Sequence, residues 1–118
     1  MLAYQRSRFD GTAVIGTIPL LDFQYGNVWT NIDAPVFEKL EPRLGDRFQV
    51  KISCAGKMVF TGELPYVRTF GQVEDGAPLL YLNSLLSVSF ALNMHDFAKK
   101  HHISSGPDWS VRVEKVAR

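Results

Sequence analysis

Along most of the chain apolar and polar residues alternate with a period of two, the pattern of strands with one buried face. The cleanest run is Arg47 to Cys54, where Phe48, Val50, Ile52 and Cys54 share one face and Arg47, Gln49, Lys51 and Ser53 the other. Ala55-Gly56-Lys57 then predicts a short turn, with Met58 to Leu64 as the returning arm of a hairpin. Val14 to Asp22, rich in β-branched and aliphatic residues, predicts the first strand. Pro19 within it predicts an edge position or a bulge, because proline brings no N–H to a ladder. Leu79 to Asn83 predicts a further apolar strand. Ser87 to Leu92 alternates Val88, Phe90 and Leu92 against Ser87, Ser89 and Ala91, and Trp109, Val111 and Val113 alternate with Ser110, Arg112 and Glu114 in the last strand.

Two short helices are expected between these strands. Asp33 can cap a helix over Ala34 to Leu40, with Pro35 in its first turn and Pro42 beyond its end. A second is expected over His95 to His101, ended near Ser104-Ser105-Gly106-Pro107. Several short strands with turn signals between them predict a small all-β domain, an antiparallel sandwich or barrel-like fold with one or two short helices. Residues 1–11 read as a linker or disordered lead-in and residues 12–118 as the β domain.

Composition narrows the function classes. The chain has 118 residues, the size of one domain and enough to build a core without disulfides or metal. Its net charge is +1 with no long basic run, which argues against a nucleic-acid binder that works by neutralising phosphates. Cys54 is the single cysteine, so no intrachain disulfide forms. No apolar stretch approaches the roughly 18 to 20 residues that span a bilayer, and Met1 to Asp10 lacks an apolar signal core. A cytoplasmic location is the expectation, with no membrane and no nucleic acid as partner.

Ordinary catalytic patterns are missing. There is no P-loop, dinucleotide glycine fingerprint, zinc-ligand spacing or nucleophile elbow. His101 and His102 are adjacent, and adjacent helical residues point about 100° apart, so they do not converge on a metal. They are expected at a solvated helix end, where a cationic imidazole suits the dipole. Cys54 continues an apolar face and is expected as a buried small hydrophobe, and Lys99-Lys100 as a solvated patch.

One segment departs from core-and-turn composition. Leu21-Asp22-Phe23-Gln24-Tyr25-Gly26-Asn27-Val28-Trp29-Thr30-Asn31-Ile32 gathers a carboxylate, aromatics, a glycine and two asparagines after a strand. A turn accounts for Gly26-Asn27. It does not account for Phe23, Tyr25 and Trp29 beside them. A purine pocket needs aromatic stacking faces, amides that pair with donor and acceptor edges, and a carboxylate for an ammonium or ribose hydroxyl. A pocket and a structural turn with aromatic core residues both remain open from the residues themselves.

At this segment the chain resembles the S-adenosylmethionine hydroxide adenosyltransferase and fluorinase family, whose C-terminal domain opens with Asp-x-x-Phe/Tyr-Gly-Asn-x-x-Thr-Asn-Ile. Here that motif is Asp22 to Ile32. A second block agrees in order and spacing: Thr69-Phe70-Gly71-Gln72-Val73, then Gly76, then Pro78-Leu79-Leu80-Tyr81-Leu82-Asn83-Ser84, then Ala91-Leu92-Asn93. The resemblance covers roughly residues 16–113. It implies an antiparallel β domain that binds S-adenosylmethionine or adenosine against the α/β domain of a neighbouring subunit in a trimer. Carried over residue by residue, Asp22 would contact the methionine ammonium and Asn27 the adenine edge. Tyr25, Trp29 and Phe70 would be aromatic walls, Ser84 would meet the methionine carboxylate, and Asn93-Met94 would pair its backbone with adenine.

The family reaction is substitution at the 5′ carbon of S-adenosylmethionine by water or halide, with S-adenosylmethionine as substrate and no further cofactor or metal. The groups that orient the nucleophile belong to the α/β domain, so no catalytic residue is assigned in this chain, which is expected to be inactive alone. The alternative is a stand-alone β binding or structural module without catalytic activity. The chain departs from the family at Leu85-Leu86, where several members carry Arg-Gly or an aromatic-Gly pair, and at Met94-His95, where many carry small residues.

Overall fold

A computed structural model describes residues 6–22, 26–68 and 73–116. The strands are β1 (Arg8–Phe9), β2 (Ala13–Ile18), β3 (Leu20–Asp22), β4 (Asn27–Asp33), β5 (Arg47–Cys54), β6 (Lys57–Pro65), β7 (Pro78–Leu82), β8 (Ser87–Leu92) and β9 (Gly106–Lys115). They form two antiparallel sheets, one in the order β1-β2-β9-β5-β6 and the other β3-β4-β8-β7. The expected small all-β domain is what the chain forms.

The core lies between the sheets because the alternating positions of both turn inward. Val14, Phe48, Val50, Ile52, Val111 and Val113 from the first sheet meet Val28, Ile32, Leu80, Val88 and Phe90 from the second, all fully buried. Cys54 is half-buried and packs on the edge of this core.

The expected strand from Val14 to Asp22 is two strands in two different sheets. The register of β2 against β9 shifts between Gly16 and Ile18, and the chain crosses to the second sheet at Pro19. A proline cannot donate to a ladder, so the crossing falls where continued pairing would fail. The sheets come close here: a Cβ on Gly16 would run into the Asn31 side chain and Ile32. The Thr17 N–H donates to Asn31 Oδ1 at 2.7 Å, tying β2 to β4.

Both helices are shorter than expected. Asp33 caps the first, accepting from Val36 N at 3.2 Å, but the α-helical turn covers only Ala34–Phe37. A 3-10 turn continues over Glu38–Leu40 and ends at left-handed Glu41. Phe37 and Leu40 close one end of the sandwich, with the Phe37 ring 5.3 Å from those of Phe48 and Tyr66. The second helix is Phe97–Lys100, because Asp96 caps it through Lys99 N at 2.8 Å and the preceding Met94 is left-handed.

His101 corrects the expectation of a solvated cationic pair. Its ring packs 4.6 Å from Phe60 and 4.7 Å from Phe97, and His102 alone of the two is exposed. Burial lowers the His101 pKa below the ordinary imidazole value, helped by the charges of Lys100 and His102. The lead-in is also structured at its end: Arg8 and Phe9 pair with Ile15 and Val14, and Arg112 holds Asp10 at 2.8 Å. Residues 1–5 of that expectation lie outside the described residues.

Candidate functional site

The motif segment resolves into a hairpin. Asp22 pairs with Asn27 where β3 meets β4, and the Gly26 N–H donates to the Asp22 carbonyl at 2.6 Å. Gly26 is left-handed (φ +72°), and a Cβ there would overlap the Asp96 carboxylate. The Gly26 carbonyl accepts from Ala98 N at 2.9 Å, so the second helix docks on the hairpin through a residue that must be glycine.

From Asn27 onward the chain is strand rather than turn. Val28, Thr30 and Ile32 face the core, and Thr30 loses little by it, because its hydroxyl donates to the Val88 carbonyl at 2.7 Å. Asn27 and Trp29 therefore lie on the opposite, outer face.

That face carries a hydrogen-bonded row. Trp29 pairs with Ser89, and Ser89 with Tyr81, across β4, β8 and β7. Because Ser89 is small, the Tyr81 hydroxyl reaches over it to β4. There it accepts from Asn27 Nδ2 at 3.0 Å and from Trp29 Nε1 at 3.3 Å. Asn83 extends the network, donating from Nδ2 to Ser89 Oγ at 2.8 Å. Its Oδ1 accepts from Leu85 N at 2.8 Å and Ser87 N at 3.2 Å. Asn27 is only 3% exposed, while Trp29 and Tyr81 are half-buried. Burial raises the Tyr81 pKa above the usual tyrosine range, the bonds from Trp29 and Asn27 oppose this, and the negative charge of Asp22 adds to it. The hydroxyl stays protonated at neutral pH. Val67, Leu79, Ala91 and Val73 form a small apolar cluster beside the row.

Asn93 and Met94 turn the chain at the end of β8, with His95 N donating to the Leu92 carbonyl at 3.1 Å. The Asn93 side chain donates to the Val73 carbonyl at 3.0 Å. Its backbone N–H donates to Ala77 O at 3.0 Å and its carbonyl accepts from Gly76 N at 2.8 Å, so both Asn93 backbone groups are paired within the fold, and Met94 beside it is 82% exposed. Ser84 lies at the other end of β8, about 17 Å away by strand rise, in an exposed loop with Leu85 and Leu86. A ligand touching both ends must lie along the strands.

The structure thus brings Asp22, Asn27 and Trp29 together around Tyr81, sets Asn93-Met94 at one end of the sheet, and leaves Ser84 at the other. Tyr25 and Phe70 lie outside the described residues, as does Phe23. Two depressions meet at Asp96 and Lys99, and the second of them borders the hairpin. One, of about 280 Å³, is lined by Gly76, Leu92, His95, Asp96, Lys99 and Lys100. The other, of about 200 Å³, includes Asp22, Gly26, Asp96 and Lys99. Tyr81 is absent from the sequence-based set. Its signal was its place among serines and asparagines: it shares a face with Asn83 and opposes Ser89. Among the described residues no group of three or more His, Cys, Asp or Glu converges as a metal site, and no helix is long and apolar enough to cross a membrane.

The chain is similar to known proteins in sequence and in fold. Residues 16–110 match the family described as the SAM hydroxide adenosyltransferase C-terminal domain. A fluorinase from Actinoplanes sp. (strain N902-109) is 32% identical over 103 residues, covering 85% of this chain and 33% of that protein. A fluorinase from Nocardia brasiliensis is 32% identical over 101 residues, covering 85% of this chain and 32% of its own length. The chain thus spans about a third of these relatives.

Two solved structures share the fold. An uncharacterized conserved protein from Thermotoga maritima superposes with a TM-score of 0.78 at 24% identity, covering 96% of this chain and 40% of that one. A conserved hypothetical protein from Thermus thermophilus gives a TM-score of 0.57 at 23% identity, covering 95% of this chain and 39% of that one. With its motif hairpin, its two-sheet fold and these matches, the chain belongs to the SAM hydroxide adenosyltransferase C-terminal domain family.

Proposed function

We propose that this domain is the adenosyl-binding half of an S-adenosylmethionine hydrolase-type or fluorinase-type active site, completed by an α/β domain from another chain or another part of the same polypeptide. The observation that supports it is the outer face of β4 and β7, where Asn27, Trp29 and Tyr81 are joined by hydrogen bonds close to the Asp22 carboxylate. An adenine edge buried against Asn27 finds amide partners, whereas leaving such groups unpaired costs about 1–3 kcal/mol each. Trp29 supplies a stacking face, and Asp22 a charge-assisted partner for an ammonium.

The reaction of the completed site is substitution at the 5′ carbon. Halide attacks, or water attacks and gives up a proton to solvent; the carbon–sulfur bond breaks, and its electron pair leaves on sulfur as methionine. Rate enhancement in such a step comes from positioning and desolvating the nucleophile. No described residue of this domain has a general-base role, so the proposal assigns it ligand binding and no turnover. Leu85, with no side-chain donor, leaves the methionine carboxylate to Ser84 and backbone N–H groups.

The test is calorimetric titration of the chain with S-adenosylmethionine and with adenosine, beside Asn27→Ala. Heat with either ligand that disappears in the variant supports the reading. Binding that Asn27→Ala leaves intact, or release of adenosine beyond one equivalent per protein, contradicts it. A second reading, a β module that has dropped the ligand, is favoured by the bonds that the Asn83 carboxamide makes through both its ends and Asn27 Nδ2 makes to Tyr81 within the fold. No heat with either ligand would favour it.

A further inference from the structure

We infer that the depression between the lead-in to β1, the end of β4 and the first helix is a second binding site, one for a free aliphatic α-amino acid, with Arg6 taking its carboxylate and Asp33 its ammonium. The inference is independent of the adenosyl reading and uses none of the residues assigned there.

The depression has a volume of about 440 Å³ and is lined by Arg6, Ser7, Asn31, Asp33 and Val36. The topology explains the grouping. Arg8 pairs with Ile15 at the edge of the first sheet, so Arg6 and Ser7 precede β1 alongside the end of β2. There β2 meets β4, where the Thr17 N–H donates to Asn31 Oδ1 at 2.7 Å. Two residues on, Asp33 ends β4 and caps the helix that carries Val36. A backbone N–H can only donate, so the Asn31 carboxamide is fixed with Oδ1 on β2 and Nδ2 at its other end. Thr17 Oγ1, beside this bond, is buried with no hydrogen-bond partner among the described residues. A buried hydroxyl in that state marks a place where the fold does not satisfy its own polar groups.

The charges single out the ligand class. Arg6 and Asp33 share the depression but form no ion pair with each other, and among the described residues Arg6 has no other ionic partner. Asp33 caps Val36 N through Oδ1 at 3.2 Å, and its carboxylate has a second oxygen. A lone anion in this depression meets repulsion from Asp33, and a lone cation meets repulsion from Arg6. A zwitterion that carries both charges on one carbon meets neither. It bridges the cation and the anion with charge-assisted hydrogen bonds at both ends. The Ser7 hydroxyl can donate or accept beside them. Val36 is half-buried against the core and offers an apolar contact, which an aliphatic side chain on the same carbon can reach.

The experiment titrates the nitrogen-15-labelled chain with L-methionine into the tens of millimolar, and amide shifts are expected at Ser7, Asn31, Asp33 and Val36. N-acetyl-methionine lacks the ammonium, methionine amide lacks the carboxylate, and glycine has nothing to set against Val36. Each should bind at least about five-fold more weakly than methionine. Arg6→Gln and Asp33→Asn should each weaken methionine by a similar factor and leave the adenosine titration as in the wild type. Asparagine is as good an N-cap as aspartate, so Asp33→Asn removes the charge and keeps the helix, and circular dichroism checks that both variants fold. No shift at these residues, blocked derivatives that bind as tightly as methionine, or a loss in fewer than both variants overturns the inference. Shifts at Asp22 and Gly26 to Trp29 instead would place methionine in the adenosyl site, which overturns the inference and supports the other reading. Methionine binding here beside a failed adenosine titration leaves the inference standing and removes the adenosyl reading alone.

Discussion

Replacing Tyr81 by phenylalanine removes one oxygen and orphans two donors. Asn27 Nδ2 loses its partner at 3.0 Å and Trp29 Nε1 its partner at 3.3 Å. Asn27 is 3% exposed, so its N–H has no ready water, and a buried unsatisfied donor costs about 1–3 kcal/mol. Trp29 is half-buried, and water can take over part of its bond. The ring itself keeps its packing against Leu79, Ala91 and Val67. The expected destabilisation is therefore about 2 kcal/mol, a fall in Tm of roughly 6–10 °C for a domain of this size. Urea unfolding followed by tryptophan fluorescence reads it, with the slope m unchanged. In a double-mutant cycle with Asn27→Ala the coupling should be about 1 kcal/mol, because Asn27→Ala removes one of the two donors in advance. A Tyr81→Phe protein within about 0.5 kcal/mol of wild type would refute the hydrogen-bond accounting of this face.

Further outcomes follow from single features. Gly26→Ala places a Cβ on the Asp96 carboxylate at φ +72°, and should cost more than the roughly 1 kcal/mol of a left-handed alanine alone, read as a lower urea midpoint. Asp33→Ala removes the cap on Val36 N and should cost about 1 kcal/mol by the same assay. His101 has a folded pKa below its unfolded value near 6.5, so the native state binds fewer protons there. Its contribution is complete above that value and is lost as pH falls toward and through the folded pKa. His101→Phe, which keeps the packing on Phe60 and Phe97, should flatten the loss of stability between about pH 7 and pH 5. A variant as acid-sensitive as wild type would show that other groups carry the dependence.

The strands with strict alternation were legible because both faces obey it. Arg47 to Cys54 and Ser87 to Leu92 fall where the pattern puts them, and the β5–β6 ladder starts one residue early at Lys57. The hairpin strand β4 was hidden by an inverted code. Its inward face carries the polar Thr30, satisfied by the Val88 carbonyl, and its outward face the apolar Trp29. Pro19 signalled a break but not a change of sheet, because the close approach of Gly16 to Asn31 and Ile32, where the two sheets meet, is a contact between residues far apart in sequence. At the site, Asp22, Asn27 and Trp29 were found through composition and family motif. Tyr81 was not, since a tyrosine in an apolar strand reads as core until its pairing with Ser89 and its reach to Asn27 are known. His101 was misplaced for the opposite reason: the sequence shows its charged neighbours, and only the fold brings Phe60 to its ring.

The central claim is that an adenosyl ligand binds on the face built by Asn27, Trp29 and Tyr81. Titrating the nitrogen-15-labelled chain with adenosine into the millimolar range tests it most directly. Amide and side-chain shifts are expected at Asp22, Gly26 to Trp29, Tyr81 and Asn93 to His95, with the outer face of β5, β6 and β9 unmoved. Shifts centred on that five-stranded sheet, or none at all in the millimolar range, would contradict it.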